Sequence, residues 1–354
     1  MGHNIDLRAA IYVAFSCAMA SYDLYSICNP LYDIQAEVGD GLLHSLGFSK
    51  GGAHMVDHEV QRTLVPRIYE HIVNAESGGS GANTAIGIVQ LGGKAAFAGR
   101  VGEDEHGRLY AEGLRTRRVV ANLPASPTDT GICIVLVTPD AQRTMVTYLG
   151  ASTLLTERDL DLDHLCSSRF LYLTSYLFDE SGPSAAARAA VRHAEAHGVR
   201  IALALCDAGV VERLREPLAE FCAQRAHVVI ANEQESCLLT ECGTADEAVA
   251  LMSEGGRIAA VTLGSQGALV GAAGSVAAIP ATAAKAVDRT GAGDMFSAGL
   301  LYGLARGWHP DQAARLAVAS AAQVVEHLGA RLPVCADLSG LAAKHAPRVQ
   351  ERVH

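Results

Sequence analysis

The chain has 354 residues, of which 49% are hydrophobic and 19% are charged, so it can bury a large core and is not a disordered protein. The formal net charge is −10 and the basic residues are scattered, which argues against nucleic acid or an anionic membrane surface as a partner. Nine cysteines without a CxxC pair indicate reduced thiols and a cytoplasmic location.

Residues 1–20 differ from the rest of the chain. Arg8 precedes an apolar run that ends in Ala18-Met19-Ala20, a pattern similar to a short signal peptide and its cleavage site. We expect a dispensable N-terminal extension instead, because Met19 lies directly before the first predicted strand. We expect no membrane-spanning segment anywhere in the chain, since no apolar run is long enough.

From there on, short apolar runs alternate with longer segments of helical periodicity, which predicts a parallel α/β sheet with helical crossovers. The predicted strands are Tyr22–Cys28, Ala95–Gly99, Phe170–Leu173, Arg200–Leu205, His227–Ala231 and Ile258–Leu263. The predicted helices are Ala82–Leu91, His106–Arg117, Pro183–His197, Val211–Gln224, Ala245–Glu254, Thr290–Ala305 and Pro310–Glu326.

Two stretches interrupt this alternation. Residues 33–50 and 130–149 have the pattern of antiparallel strands and hairpins, with Pro139-Asp140 as the turn in the second stretch. Strands outside the βα rhythm predict a small β lid over one edge of the main sheet. No repeat or long linker separates these strands from the rest, so we expect the lid to be inserted within one fold.

A glycine-rich turn, DRTGAGD, directly precedes the predicted helix that ends at Ala305. Gly291, Ala292 and Gly293 keep side chains away from the helix start, so its N–H groups can bind an anion such as phosphate. Asp294 follows in the first turn. A carboxylate beside a phosphate site suits a base that takes a proton from an attacking group; the alternative is a glycine-rich turn with a capping aspartate.

Two further segments offer groups for a polyol. Gly78 and Gly79 allow a substrate to approach the backbone, and the Asn83 amide can bond to two hydroxyls. Asn29 and Asp33 lie at the end of the first strand, where open α/β sheets bind ligands. The alternatives are a flexible loop before a helix and an ordinary turn aspartate.

Asn232 and Glu235 follow the strand His227–Ala231. Carboxylate and amide groups at a strand end can hold hydrated Mg²⁺. Equally, they can form a solvated first helical turn.

Thr262, Gly264 and Gly267 follow the next strand, where the glycines can admit a nucleotide. The alternative is a simple strand–turn–strand connection. Arg143, in the predicted lid, can close over phosphates, or it pairs with solvent or an acid.

Taken together, these residues resemble the ribokinase-like (PfkB) family of carbohydrate and nucleoside kinases. The two segments that carry the resemblance are GGSGANTAIGIVQLGGKAAFAGRVGEDEHG (78–107) and DRTGAGDMFSAG (288–299). The resemblance implies a three-layer α/β sandwich with a mostly parallel central sheet and a β lid, spanning residues 21–345 before a tail at 346–354. It further implies ATP, Mg²⁺ and a possible monovalent cation. Arg289 departs from the family, where a small hydroxylated residue is usual.

The same resemblance assigns roles to the residues above. Asp294 is implied to be the catalytic base, beside an anion hole formed by the backbone of residues 291–293. Asn232 and Glu235 are implied to organise Mg²⁺ and phosphate. The segment from Thr262 to Gly267 is implied to bind ATP.

The segment Cys28-Asn29-Pro30-Leu31-Tyr32-Asp33-Ile34 is similar to the opening of adenosine kinases. This similarity implies transfer of the ATP γ-phosphoryl group to the 5′-hydroxyl of adenosine, which yields AMP. Leu31, Tyr176 and Phe178 either hold the purine or pack in the core. The alternatives are a kinase of a free sugar such as ribose, a kinase of inosine or guanosine, and a non-catalytic nucleoside-binding regulator. The oligomeric state, monomer or homodimer, stays open.

Overall fold

A computed structural model of the protein describes residues 20–140 and 142–347. The strands, in chain order, are β1 (Tyr22–Ile27), β2 (Leu31–Glu37), β3 (Ala53–Met55), β4 (Ile72–Ser77), β5 (Ala95–Ala98), β6 (Val101–Gly102), β7 (Val120–Asn122), β8 (Ala125–Ser126), β9 (Gly131–Val137), β10 (Arg143–Tyr148), β11 (Ser168–Thr174), β12 (Phe178–Asp179), β13 (Gly182–Pro183), β14 (Arg200–Ala204), β15 (Val228–Asn232), β16 (Ile258–Thr262), β17 (Ala268–Ala272) and β18 (Ser275–Ile279).

The helices are α1 (Asp40–Leu46), α2 (His58–Ile68), α3 (Ser80–Gln90), α4 (Glu105–Thr116), α5 (Leu162–Cys166), α6 (Ala185–Ala196), α7 (Ala208–Arg213), α8 (Arg215–Gln224), α9 (Glu233–Thr240), α10 (Ala245–Met252), α11 (Ala292–Ala305), α12 (Pro310–Val324) and α13 (Ser339–His345).

Nine strands form the main sheet, in the order β18-β17-β16-β15-β14-β11-β1-β5-β7. The pairs from β16 to β7 are parallel, and β17 and β18 add an antiparallel edge. The predicted mostly parallel α/β sheet is therefore confirmed. Parallel pairing directs the carboxyl ends of its central strands to one edge, where ligands of such folds bind.

The central strands of the main sheet are buried on both faces, as expected for parallel strands. Successive residues of a strand point to opposite faces, so Phe170 and Tyr172 of β11 pack with α3, α11 and α12, whereas Leu171 and Leu173 pack with α6, α8 and α10. All four side chains are fully buried. Helix, sheet and helix thus form the three layers predicted from the family resemblance.

A second sheet forms the lid, in the order β3-β10-β9-β2-β4. One face of it covers its own small core with α1 and α2, which contains Ile34, Leu43 and Leu64. The other face carries Asp33 and Cys133 toward the main sheet's ligand edge, where both residues line a cavity. The predicted lid is confirmed, and its strands β2, β9 and β10 fall in the predicted stretches.

Two details of the prediction are wrong. The second half of 33–50 is the helix α1 rather than a strand, because its apolar residues at 42, 43 and 46 have helical spacing and Gly47 ends the helix with φ +82°. The predicted helix Val211–Gln224 is two helices, α7 and α8, that meet at Leu214. Pro217 explains the break, since proline lacks the N–H that a continuous helix needs.

The described part of the chain contains no helix that combines the length and the apolar character needed to cross a membrane. The predicted extension at residues 1–20 lies outside the described residues except for Ala20, and the predicted tail is described only through Pro347. Of the nine cysteines, the eight within the described residues are free thiols.

Candidate active site

A cavity of about 720 Å³ lies between the carboxyl ends of the central strands and the inner face of the lid. Ten of the predicted site residues line it: Asn29, Asp33, Gly79, Asn83, Asn232, Glu235, Thr262, Gly291, Gly293 and Asp294. Five others do not line it: Gly78, Arg143, Gly264, Gly267 and Ala292. The structure thus places residues of the predicted substrate site and of the predicted nucleotide site around one cavity.

The turn before α11 has the geometry of an anion site. Gly291 has φ +76°, and a Cβ atom there would lie 2.1 Å from the carbonyl oxygen of Ala330, so glycine is required. Gly293 is the second residue of the helix, and a Cβ atom there would meet no atom within 4 Å. The first N–H groups of a helix have no partner within it, and Gly293 leaves the space before them open to an anion.

Asp294 lies in the first turn of α11, as predicted, with its carboxylate in the cavity. Asn83 Nδ2 donates a hydrogen bond to Asp294 Oδ2 at 2.8 Å. Burial raises the pKa of Asp294 to about 6, although the bonds from Asn83 and Ser80 and the charge of Arg331 oppose this rise. The carboxyl group is thus poised to exchange a proton near neutral pH.

Asn83 is held from two sides. Besides its bond to Asp294, its Oδ1 accepts a hydrogen bond from Arg331 Nε at 2.6 Å. We predicted that this amide bonds to two substrate hydroxyls; its oxygen and one N–H are instead used within the protein. Only one N–H of Asn83 remains free to bond to a ligand. The main contact of this side chain is therefore its hydrogen bond to Asp294.

Asp33 projects from β2 on the inner face of the lid. Its carboxylate occupies the space next to Gly78, where a Cβ atom would lie 1.9 Å from Asp33 Oδ2. This contact explains why Gly78 is needed although it does not line the cavity. Burial raises the pKa of Asp33 to about 7, although the charge of Arg331 opposes this rise. When ionised, Asp33 is an acceptor for ligand hydroxyls at the cavity wall.

Asn232 and Glu235 form a capping box in the first turn of α9, but Glu235 is buried and not solvated as the helical-turn alternative expects. Glu235 Oε2 accepts from the backbone N–H of Asn232 at 3.0 Å, and its Oε1 accepts from Nδ2 at 2.7 Å. Burial raises the pKa of Glu235 to about 7. Both carboxylate oxygens are already bonded, so a metal can be held here through water more readily than directly.

The segment after β16 is a tight turn into the antiparallel strand β17. Gly264 and Gly267 have φ of +58° and +101°, and a Cβ atom on Gly267 would lie 2.0 Å from the Ile279 oxygen. The glycines therefore form the strand–turn–strand connection named as the alternative, and only Thr262 of this motif reaches the cavity. Arg143 is ion-paired with the buried Asp288. This is one of the two alternatives given for Arg143, namely pairing with an acid rather than closing over phosphates.

The family assignment rests on the comparison of this chain with known proteins. The model of the pfkB family of carbohydrate kinases matches residues 56–336. The chain belongs to the pfkB family. Its predicted kinase class is confirmed: it is a phosphotransferase that acts on an alcohol group.

The pfkB relatives of the chain include sugar kinases and nucleoside kinases. Mouse (Mus musculus) ribokinase is 30% identical over 72% of this chain and 80% of its own length. A probable sugar kinase from Rhizobium etli has a TM-score of 0.84 at 30% identity, covering 92% of this chain and 99% of its own. Adenosine kinase from Sinorhizobium meliloti has a TM-score of 0.82 at 32% identity, covering 92% and 100%. The ribokinase-like fold is confirmed, whereas the relatives differ in substrate.

The cavity of this pfkB kinase has an apolar part beside Asp33. It is formed by side chains of the lid and of the loop after β11, namely Leu31, Met55, Cys133, Val135, Met145, Tyr176 and Phe178. Phe178 also packs edge-on against Phe221, with ring centroids 5.1 Å apart. Phe178 therefore belongs to both the core and the cavity wall, and Tyr176 is 39% exposed.

The site contains further groups that were not predicted, among them one arginine and two cysteines. Arg331 lies in the loop after α12, and Cys28 and Cys206 line the cavity at the ends of β1 and β14. Cys206 has φ +61°, an uncommon conformation for a residue with a side chain. Cys28 belongs to the segment 28–34 but had no predicted role, and the only signal for Arg331 is its position directly after Gly329 and Ala330.

Proposed function

We propose that the protein is an ATP-dependent kinase that phosphorylates the 5′-hydroxyl of adenosine to give AMP. The apolar part of the cavity beside Asp33 is the observation that carries this proposal. A free sugar presents hydroxyls on all sides, whereas a nucleoside combines a ribose for Asp33 with a flat base for an apolar wall. The 32% identity to Sinorhizobium meliloti adenosine kinase supports the same substrate class.

In this proposal Asp294 removes the proton from the substrate hydroxyl. The oxygen forms a bond to the γ-phosphorus of ATP while the bond from that phosphorus to the bridging oxygen of ADP breaks. The proton passes to the Asp294 carboxylate, and the helix N-terminus at Gly291–Gly293 stabilises the charge on the transferred group. Asn29 and Asp33 hold the ribose. Asn83 orients the Asp294 carboxylate, which is the catalytic base.

The nucleotide end lies near Thr262 and Asn232. No group of three or more ligating side chains suited to a metal occurs among the described residues. This fits Mg²⁺ that arrives with ATP, because Mg²⁺ usually keeps waters and binds through few carboxylates plus substrate phosphates. Glu235 would hold it through water, and the ion would neutralise phosphate charge.

A monovalent-cation requirement stays a prediction of the family resemblance. Because the reaction consumes ATP, we propose a cytoplasmic location.

An ADP-release assay tests the substrate. The acceptors are adenosine, inosine, guanosine, cytidine, ribose and fructose, each with ATP and Mg²⁺. We expect the highest kcat/KM with adenosine. Turnover of ribose without turnover of adenosine would establish the sugar-kinase alternative, which the identity to mouse ribokinase favours. Adenosine binding in calorimetry without ADP release from any acceptor would support the non-catalytic regulator.

Asp33→Ala is expected to raise the KM for the nucleoside roughly 10- to 100-fold, since a hydrogen bond to a charged group is lost. The KM for ATP should not change, because Asp33 lies on the lid strand after β1, whereas Thr262 ends β16, four strands away from β1 in the main sheet. Steady-state kinetics with each substrate varied in turn measure both constants. Asp57→Ala is the matched control: Asp57 caps α2 at the surface, where its loss affects that helix and not the cavity. An unchanged nucleoside KM in Asp33→Ala would remove Asp33 from the site.

A further inference from the structure

Arg331 is a buried arginine next to the cavity. It is 6% exposed. Its Nε donates to Asn83 Oδ1 and its Nη1 donates to Ser77 Oγ, both at 2.6 Å. Its Nη2 is buried and has no hydrogen-bond partner in the described part of the chain. Burying a guanidinium with one nitrogen unbonded is unfavourable, so the presence of Arg331 here calls for a functional reason.

The bond from Arg331 determines which way the Asn83 amide points. A guanidinium can only donate, so it must face the amide oxygen. The NH₂ group of Asn83 is thereby turned toward Asp294, whose Oδ2 it reaches at 2.8 Å. A fixed donor holds the carboxylate in one orientation and favours its ionised form. Three side chains thus connect the loop after α12 to the first turn of α11.

Arg331 also contributes charge to the site. The groups around Asp294 come from several elements: Ser80 and Asn83 of α3, Asp33 of β2, Cys28 after β1, Tyr172 and Tyr176 in and after β11, Cys206 after β14, and Arg331. Arg331 supplies positive charge among these mostly neutral or acidic groups. It acts on both Asp294 and Asp33, and in each case it opposes the rise in pKa that burial causes.

We propose that Arg331 is a positioning residue for phosphoryl transfer, which acts through Asn83 to keep the Asp294 carboxylate oriented and ionised. Arg331 does not line the cavity, so it acts through Asn83 and not by touching the reacting groups. This inference rests on the proposed role of Asp294 as the base.

The test compares Arg331→Met and Arg331→Lys with the wild type, using ADP release with ATP and the best acceptor. We expect Arg331→Met to lower kcat roughly 10- to 100-fold, the effect of losing a charged hydrogen bond. The KM for ATP should stay unchanged. The acid limb of kcat should move to higher pH, because loss of the positive charge raises the pKa of Asp294 further. Arg331→Lys should return this limb toward its wild-type pH, since the charge is kept, without restoring the full kcat.

Two controls separate positioning from general loss of structure. Ser77→Ala removes the other hydrogen bond of the same guanidinium but leaves the link to Asn83, so its pH profile should match the wild type. The double variant Arg331→Met with Asp294→Asn should be no slower than Asp294→Asn alone, because Arg331 acts through Asp294. A further additive loss in the double variant would overturn the inference.

The outcomes also distinguish this inference from the proposed function. Full activity of Asp294→Asn would refute Asp294 as the base. Loss of activity in Asp294→Asn, together with an unchanged kcat and pH profile in Arg331→Met, would refute only the role of Arg331. If a melting curve shows that Arg331→Met does not fold, Asn83→Ala breaks the same link from its other end. An unchanged pH profile in Asn83→Ala would then overturn the inference.

Discussion

Asp294→Asn is expected to lower kcat by about 10²- to 10⁴-fold, the usual contribution of a general base. The amide has nearly the shape of the carboxylate but cannot take the proton from the substrate hydroxyl. Its oxygen can still accept from Asn83, which donates to Asp294 at 2.8 Å in the wild type. We therefore expect little change in the KM of either substrate. Steady-state ADP release with saturating ATP measures the effect.

The matched control is Asp311→Asn, which changes an aspartate in the first turn of α12, away from the cavity. Its kcat should equal that of the wild type. Near wild-type turnover in Asp294→Asn would show that another group is the base.

Stability and pH dependence give independent checks on the same residue. Burial raises the pKa of Asp294 from 3.8 to about 6, so the folded state binds the proton more tightly than the unfolded state. The stabilisation that comes from protonated Asp294 is therefore lost as the pH rises from about 4 through about 6. At neutral pH the Tm of Asp294→Asn should equal or exceed that of the wild type. The wild-type kcat should fall as the pH decreases below about 6, and this limb should disappear in Asp294→Asn.

Gly293→Ala is expected to lower kcat roughly 100-fold or more, comparable to the loss of one donor to a developing charge. The added methyl group meets no protein atom within 4 Å, but it enters the cavity in front of the first N–H groups of α11. A phosphoryl group could then no longer approach the helix start closely. Because alanine favours helix by up to about 1 kcal/mol over glycine, the Tm should stay the same or rise.

Gly340→Ala is the control for this change. Gly340 is the second residue of α13, as Gly293 is of α11, and a Cβ atom there also meets nothing within 4 Å. It lies outside the cavity lining, so we expect the same effect on Tm and no effect on kcat. Full activity in Gly293→Ala would show that the phosphoryl group does not approach the backbone at this turn.

The central strands of the main sheet were predictable because they form continuous apolar runs that are buried on both faces. All six predicted strands lie in it. The other three were not predicted: β7 has only three residues and is largely exposed, and β17 and β18 are apolar but follow tight turns directly after β16 and β17. In the lid, α1 was mistaken for a strand because this helix of seven residues has only three apolar positions, too few for their helical spacing to be distinguished beforehand.

The sequence by itself determined the glycine-rich start of α11 and the family of the protein. The glycines at 291 and 293 and the aspartate at 294 are local features, since a turn and a helix start follow from adjacent residues. The tertiary structure alone decided what surrounds them. Asn83 and Arg331 lie 248 residues apart and bond at 2.6 Å only because α3 and the loop after α12 pack together beside α11.

The same holds for Arg143, which pairs with Asp288 although the two residues are far apart in the sequence, and for the apolar lid side chains that line the cavity together with the ends of the main-sheet strands. Such contacts depend on how the lid and the main sheet pack against each other. A motif encodes backbone geometry over a few residues and carries no information about this packing. For that reason the sequence predicted Asp294 as the base, and only the folded chain shows that Asn83 bonds to both Asp294 and Arg331.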